Sequence, residues 1–109
     1  MNMNKKKFLD KYIFAGLTNL NDGFDAETIK YFSEKDFEIV ISRVEEYGLG
    51  ITGIEPWLNG EFYSVTIYEN YETSSTDPKW YKAAFQRFAK SGEELQYAAT
   101  YFVPEDLLK

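Results

Sequence analysis

The groups with which this chain could do chemistry are carboxylates, hydroxyls and amines. It carries 18 Asp and Glu residues against 12 Lys and Arg, with no His and no Cys. Without imidazole, no side chain has an ordinary pKa near neutrality, and the commonest metal ligand is missing. Without thiols there is no disulfide, no thiolate zinc site and no cysteine nucleophile. Ser-His and Cys-His arrangements are therefore closed to a single chain. A Ser-Lys pair stays formally open in Ser91 beside Lys90, or in Ser33 and Ser42 near Lys35. These serines read better as helix caps and helix surface. Three carboxylate pairs stand side by side: Glu45 and Glu46, Glu93 and Glu94, Glu105 and Asp106. Adjacent helix residues do not face each other, whereas a glycosidase pair faces across a cleft at about 5–9 Å. These pairs read as solvated charge, and no catalytic residue is assigned.

The motifs that could hold a ligand fail on spacing. If Gly23 is placed at the glycine position of a calcium loop, Thr18, Leu20 and Asp22 fall at the first three ligand positions and Ile29 at the twelfth. Two side-chain ligands and the closing Glu are then missing, so the segment is a turn. Gly48-Leu49-Gly50 lacks the third glycine of a dinucleotide motif and precedes a strand instead of opening a helix. Residues 60–67, GEFYSVTI, share the aromatic pattern of an RNA-binding strand, but the leading basic residue is missing, the acid Glu61 stands in the strand and the surroundings are negative. The expectation is a protein with no cofactor, no metal and no nucleic-acid partner.

The elements that must position any surface can be read from periodicity. At 109 residues, 44% of them hydrophobic and 18% aromatic, the chain suits one domain with one core, residues 1–109. Phe8, Leu9, Tyr12, Ile13 and Gly16 predict a helix over residues 6–17. Asp25 predicts a cap for a short helix ending at Phe32. Ser33 caps the next helix, with Asp36 where a capping-box acid stands. Its stripe is Phe37, Val40, Ile41, Val44 and Tyr47, and Gly48 ends it.

The period then changes to two. Residues 50–57 read as a strand, Asn59-Gly60 as a type I′ turn, and residues 61–70 as the returning strand. On that strand Tyr63, Val65 and Ile67 share one face, and Phe62, Ser64, Thr66 and Tyr68 the other. Pro56 predicts that the first strand is an edge there. Asp77-Pro78 opens a helix with Tyr81, Ala84, Phe85 and Phe88 as its buried stripe and Trp80 at the border. Residues 96–103 form the last strand, stopped by Pro104. The order is α+β: N-terminal helices, then β-β-α-β, a small and mostly antiparallel sheet with helices on one face.

Charge narrows the function. The net charge is −6, yet residues 34–77 hold ten acids against Lys35 and Arg43, a local charge of −8. Such a segment repels phosphates and suits a basic protein surface. Lys5, Lys6 and Lys7 are followed by Phe8 and Leu9, but Asp10 and Lys11 interrupt the apolar run that a signal peptide needs. No stretch reaches the roughly 20 apolar residues of a membrane span. A soluble, cytoplasmic protein with no membrane partner is expected.

Within the acidic segment, aromatic and acidic residues alternate. Trp57, Tyr68 and Tyr71 stand among Glu55, Glu61, Glu69, Glu72 and Asp77, with Glu45 and Glu46 on the preceding helix. Tyr and Trp bury area at low entropic cost, and carboxylates beside them steer association with a basic partner. These ten residues are the candidate partner-binding set. The alternative is that the rings are core and the acids only solubilise.

Two stretches, GIEPWLNGEFYSVTIYENY at residues 53–71 and DPKWYKAAFQRFAKSGEELQYAATYFVP at residues 77–104, resemble the small acidic immunity proteins of bacterial polymorphic-toxin and contact-dependent growth inhibition systems. The resemblance lies in general character, and no family residue is carried over from it. It implies a cytosolic, non-catalytic inhibitor that caps a cognate toxin, often a nuclease with a basic cleft. Two other classes stay open: a small-molecule-binding domain with a pocket between helices and sheet, and a homo-oligomeric module pairing through the last strand.

Overall fold

Two amphipathic helices and one long strand organise the chain, as the computed structural model of residues 3–109 shows. Helix α2 spans Glu34–Glu46 and buries Phe37, Val40, Ile41 and Val44. Ser33 Oγ accepts from the Asp36 amide at 3.2 Å. The Asp36 carboxylate does not close a capping box, because it accepts from the Thr18 amide at 3.2 Å. At the other end Gly48 adopts φ +72°. That turn lets the Leu49 amide reach the Val44 carbonyl at 2.9 Å, the hydrogen bond that closes a Schellman motif. Helix α3, Pro78–Ala89, starts at Asp77 and buries Trp80, Tyr81, Ala84, Phe85 and Phe88.

Strand β1, Gly50–Leu58, is central. It pairs antiparallel with β4, Gln96–Phe102, on one side, and with β2, Glu61–Phe62, and β3, Thr66–Ile67, on the other. Helices α2 and α3 pack on the face that carries Ile51, Ile54 and Tyr97. Between the layers Tyr97 lies flat on Phe37 at 5.1 Å, with Phe85 edge-on at the same distance. The fold is α+β, with a small antiparallel sheet, as the residue pattern implies.

Several local expectations are corrected. The first helix is short: α1, Lys5–Phe8, widens into a π-helical turn at Leu9–Ile13, where the Phe14 amide reaches back to Leu9 at 2.9 Å. Arg43 of α2 then takes the Ile13 and Ala15 carbonyls at 2.9 and 2.8 Å, which stops the helix there.

The short helix ending at Phe32 does not form. Asparagine side chains capture the backbone groups it would need, as such residues do in turns. Asn21 Nδ2 donates to the Ala26 and Ile29 carbonyls at 2.9 and 2.8 Å, and Asn19 Oδ1 accepts from the Tyr31 amide at 3.0 Å. Residues 19–31 instead form a loop. It is pinned at its end by an isolated bridge in which Phe32 and Tyr97 exchange amide–carbonyl bonds at 2.9 and 2.7 Å.

The returning strand is split, and Pro56 explains why. The Asn59-Gly60 turn forms as expected, with φ +53° and +79°, and sets Trp57 opposite Phe62. Pro56 should next exchange two hydrogen bonds with Tyr63. Its carbonyl does accept from the Tyr63 amide at 3.1 Å, but proline has no N–H to return. The partner chain slips by one residue, and the ladder resumes with Ile54 opposite Thr66. Pro56 is thus not at a sheet edge, because β4 pairs alongside it. Its missing donor faces the gap between β2 and β3. The slip also reverses the alternation, so Phe62 joins Ile67 on the outer face, and Thr66 is buried. Beyond Ile67 the chain leaves the sheet in a 3-10 turn, Tyr68–Tyr71.

The start of β1 is tightly covered by the segment leading to α3. The Ile51 amide donates to the Ser75 carbonyl at 3.0 Å. A Cβ on Gly50 would meet Ser75 Oγ at 2.7 Å and its carbonyl carbon at 3.0 Å. Gly50→Ala is therefore expected to destabilise the fold by about 1–3 kcal/mol, the usual range for overpacking. A urea midpoint lowered with an unchanged m-value is the check.

Candidate functional site

The ten residues of the candidate set divide between the two ends of β1. Gly50 and Trp57 are seven residues apart, about 23 Å at strand rise. At the start of the strand gather the C-terminal turn of α2 with Glu45 and Glu46, the 3-10 turn with Tyr68, Glu69 and Tyr71, then Glu72 and Asp77. Glu55, Trp57 and Glu61 lie toward its far end. The ten do not form one patch.

Several members are already engaged within the fold. Asp77 caps α3, accepting from the Lys79 amide at 3.0 Å and the Thr73 hydroxyl at 2.7 Å. The Thr73 hydroxyl, and then the Lys79 amide, hold its carboxyl below the usual carboxylate range. Glu45 pairs with Lys82 at 2.5 Å. With Asp77 it also lies near Tyr81, whose hydroxyl is pushed up to about 12, first by burial and then by these two negative charges. Tyr71 is half-buried, its ring 5.5 Å from Trp80, and Tyr68 is half-buried against the core. The alternative reading of rings as core thus holds in part for these two. Glu46, Glu61, Glu69 and Glu72 are exposed and, among the described residues, make no ion pair. Glu72 also adopts φ +52°, a left-handed conformation that glycine adopts with less strain.

The outer sheet face, opposite the helices, carries what periodicity alone did not place. Half of it is roofed by the 19–31 loop, through Phe24 and Tyr31 packed on Trp57 at 5.5 and 5.4 Å. Trp57 Nε1 donates to Glu55 at 2.7 Å, and the Tyr31 hydroxyl donates to Asp25. Burial, followed by the Asp25 hydrogen bond and charge, raises the Tyr31 hydroxyl well above its usual range. Glu55 and Trp57 therefore anchor the loop.

The other half of the face is open. Phe62, Val65 and Ile67 are 58%, 53% and 39% exposed, and they form an apolar strip bounded by Glu61 and Glu69. These three residues are the addition that structure makes to the candidate surface. Pro56, whose missing N–H accompanies the one-residue slip, is the sequence signal that bears on Phe62 lying beside Ile67.

A groove of about 640 Å³ runs from this face round the edge of β4. Leu9, Phe14, Thr28, Ile29 and Lys30 line it, together with Val65 and Ile67 of the open half of the face. The space between helices and sheet, where the alternative small-molecule reading would put its pocket, is filled by Phe37, Phe85 and Tyr97. Among the described residues no group of three or more acids is placed to hold a metal ion, and no helix is long and apolar enough to cross a membrane. Comparison with protein-family models, with curated proteins and with solved structures found no match to this chain.

Proposed function

We propose that the chain is a non-catalytic, cytoplasmic inhibitor of the immunity type, which neutralises a cognate toxin by covering a basic surface such as a nuclease cleft. The observation that carries this reading is the open half of the outer face. There the exposed strip of Phe62, Val65 and Ile67 is bordered by Glu61 and Glu69, which have no ion-pair partner among the described residues. An apolar centre with a charged rim is the usual anatomy of a protein interface. Glu72 supports the same reading, since a carboxylate is kept at a left-handed position where glycine would be less strained. Glu45, Asp77, Glu55 and Trp57 are engaged by partners within the fold, and Glu46 is exposed on the last turn of α2.

The test uses the partner recovered by pull-down and measures its association rate by stopped flow at two salt concentrations. Steering by surface charge changes association rates by about 10-fold or more and weakens with salt. Glu69→Lys combined with Glu72→Lys is expected to slow association at least about fivefold at low salt, with little change in dissociation. An association rate unaffected by both the reversals and the salt would show that this face is not the one used.

A further inference from the structure

The edge of the sheet opposite the acidic turn is paired only at Tyr97 among the described residues, and the charge beside it is of the other sign. The backbone groups of Tyr97 point away from β1, because they bond to Phe32. Ala98, Thr100 and Phe102 are the residues set opposite Glu55, Gly53 and Gly50. By strand alternation the N–H and C=O of Ala99 and Tyr101 point outward, as those of Tyr97 do. Among the described residues neither amide has a backbone partner beyond the strand. The 19–31 loop supplies one bridge at Phe32 and then diverges, and the groove opens where pairing stops.

The groove has apolar walls in Leu9 and Phe14 and a basic rim in Lys5, Lys6 and Lys30. Two acids share it. Glu55 is occupied by the Trp57 indole. Asp10 bridges the groove, one oxygen 2.7 Å from Lys6 and the other 3.7 Å from Lys30. In a chain of net charge −6 this rim is locally positive, and Asp10 occupies the position that an incoming carboxylate would compete for.

We propose that the open edge of β4 receives an extended, carboxylate-bearing segment of a partner protein as an added strand. Its backbone bonds to Ala99 and Tyr101, and its acidic side chains meet Lys6 and Lys30. Strand addition takes affinity from main-chain bonds and specificity from the side-chain surroundings. A second copy of this chain fits less well, because pairing two β4 edges brings two lysine rims together, and like charges repel. The groove shares Val65 and Ile67 with the apolar strip of the proposed interface, but the strand bonds to Ala99 and Tyr101 do not depend on the inhibitor reading.

The test is an NMR titration of the full chain with three capped decapeptides. One alternates valine with glutamate, one alternates valine with lysine, and the third is the glutamate peptide N-methylated at every second residue. The glutamate peptide is expected to slow amide exchange at Ala99 and Tyr101 at least tenfold, and to bind at least tenfold more tightly than the other two. Asp10→Asn should tighten its binding several-fold, and Lys6→Glu with Lys30→Glu should weaken it at least tenfold. The N-methylated peptide removes the strand bonds without altering the protein, so the outcome does not hinge on a variant's folding. No slowing at millimolar peptide, or equal binding of the lysine peptide, overturns the proposal. Concentration-dependent slowing in the absence of peptide also overturns it, in favour of a second copy at that edge.

Discussion

Trp80→Ala is expected to lower the unfolding free energy by about 3–5 kcal/mol, the range for removing a large buried aromatic. Trp80 is buried at the point where α3, β1 and the segment before α3 meet. Its indole N–H donates to the Ile51 carbonyl at 3.1 Å and approaches the Ser75 carbonyl at 3.4 Å. Its ring contacts Tyr71 and, edge-on, Tyr81. Truncation leaves a cavity and strips the Ile51 carbonyl of a side-chain donor. For a domain of this length the total stability is about 5–15 kcal/mol, so the variant should be largely unfolded at modest urea. Trp80→Phe keeps most of the volume and loses only the donor, so a smaller loss of about 1–2 kcal/mol is expected. Equilibrium urea unfolding of the two variants separates these contributions. Equal losses would mean that the hydrogen bond, not the packing, ties α3 to β1.

The second large effect is alkaline unfolding. Tyr31, Tyr81, Tyr97 and Tyr101 are all buried, and burial is the leading reason that each hydroxyl is raised above its ordinary value of 10.0. A raised folded-state pKa means that the native state holds its proton where the unfolded chain releases it. That contribution is complete below pH 10 and is lost as pH rises through the folded values, near 12 for Tyr81 and higher for the other three. Stability should therefore fall steeply above pH 10.

Tyr97 allows a sharper test. Its hydroxyl is buried with no hydrogen-bond partner among the described residues, although the ring is packed between Phe37 and Phe85. Tyr97→Phe keeps the ring and removes the unpaired group. It is expected to stabilise the protein by about 1–2 kcal/mol at pH 7 and to flatten the alkaline loss. Urea midpoints at pH 7 and pH 11 measure both effects. A destabilised variant would mean that an ordered water satisfies the hydroxyl.

Local patterns in the sequence determined much of this protein. Phe37, Val40, Ile41 and Val44 recur at helical spacing, and Ser33 and Gly48 bound them, so α2 is specified within its own residues. Asp77-Pro78 and the stripe after it do the same for α3. Asn59-Gly60 sets the hairpin register, because both residues accept positive φ. The α+β class and the acidic middle follow directly. The absence of His and Cys is likewise a property of the sequence alone, and it excludes the mechanisms that require them.

Tertiary contacts decided the rest. Asp25 looks like a cap, but a helix after it would need the carbonyls that Asn21 takes and the amide that Asn19 takes, and Phe24 and Tyr31 gain a distant surface on Trp57 instead. The first helix ends where Arg43, thirty positions away, captures the Ile13 carbonyl. The partner-binding set is legible as composition, yet its division between two ends of β1 is not, because only the strand's length and pairing separate Glu69 from Glu55. Alternation puts Phe62 and Ile67 on opposite faces. They share one because a proline in the neighbouring strand lacks a single N–H.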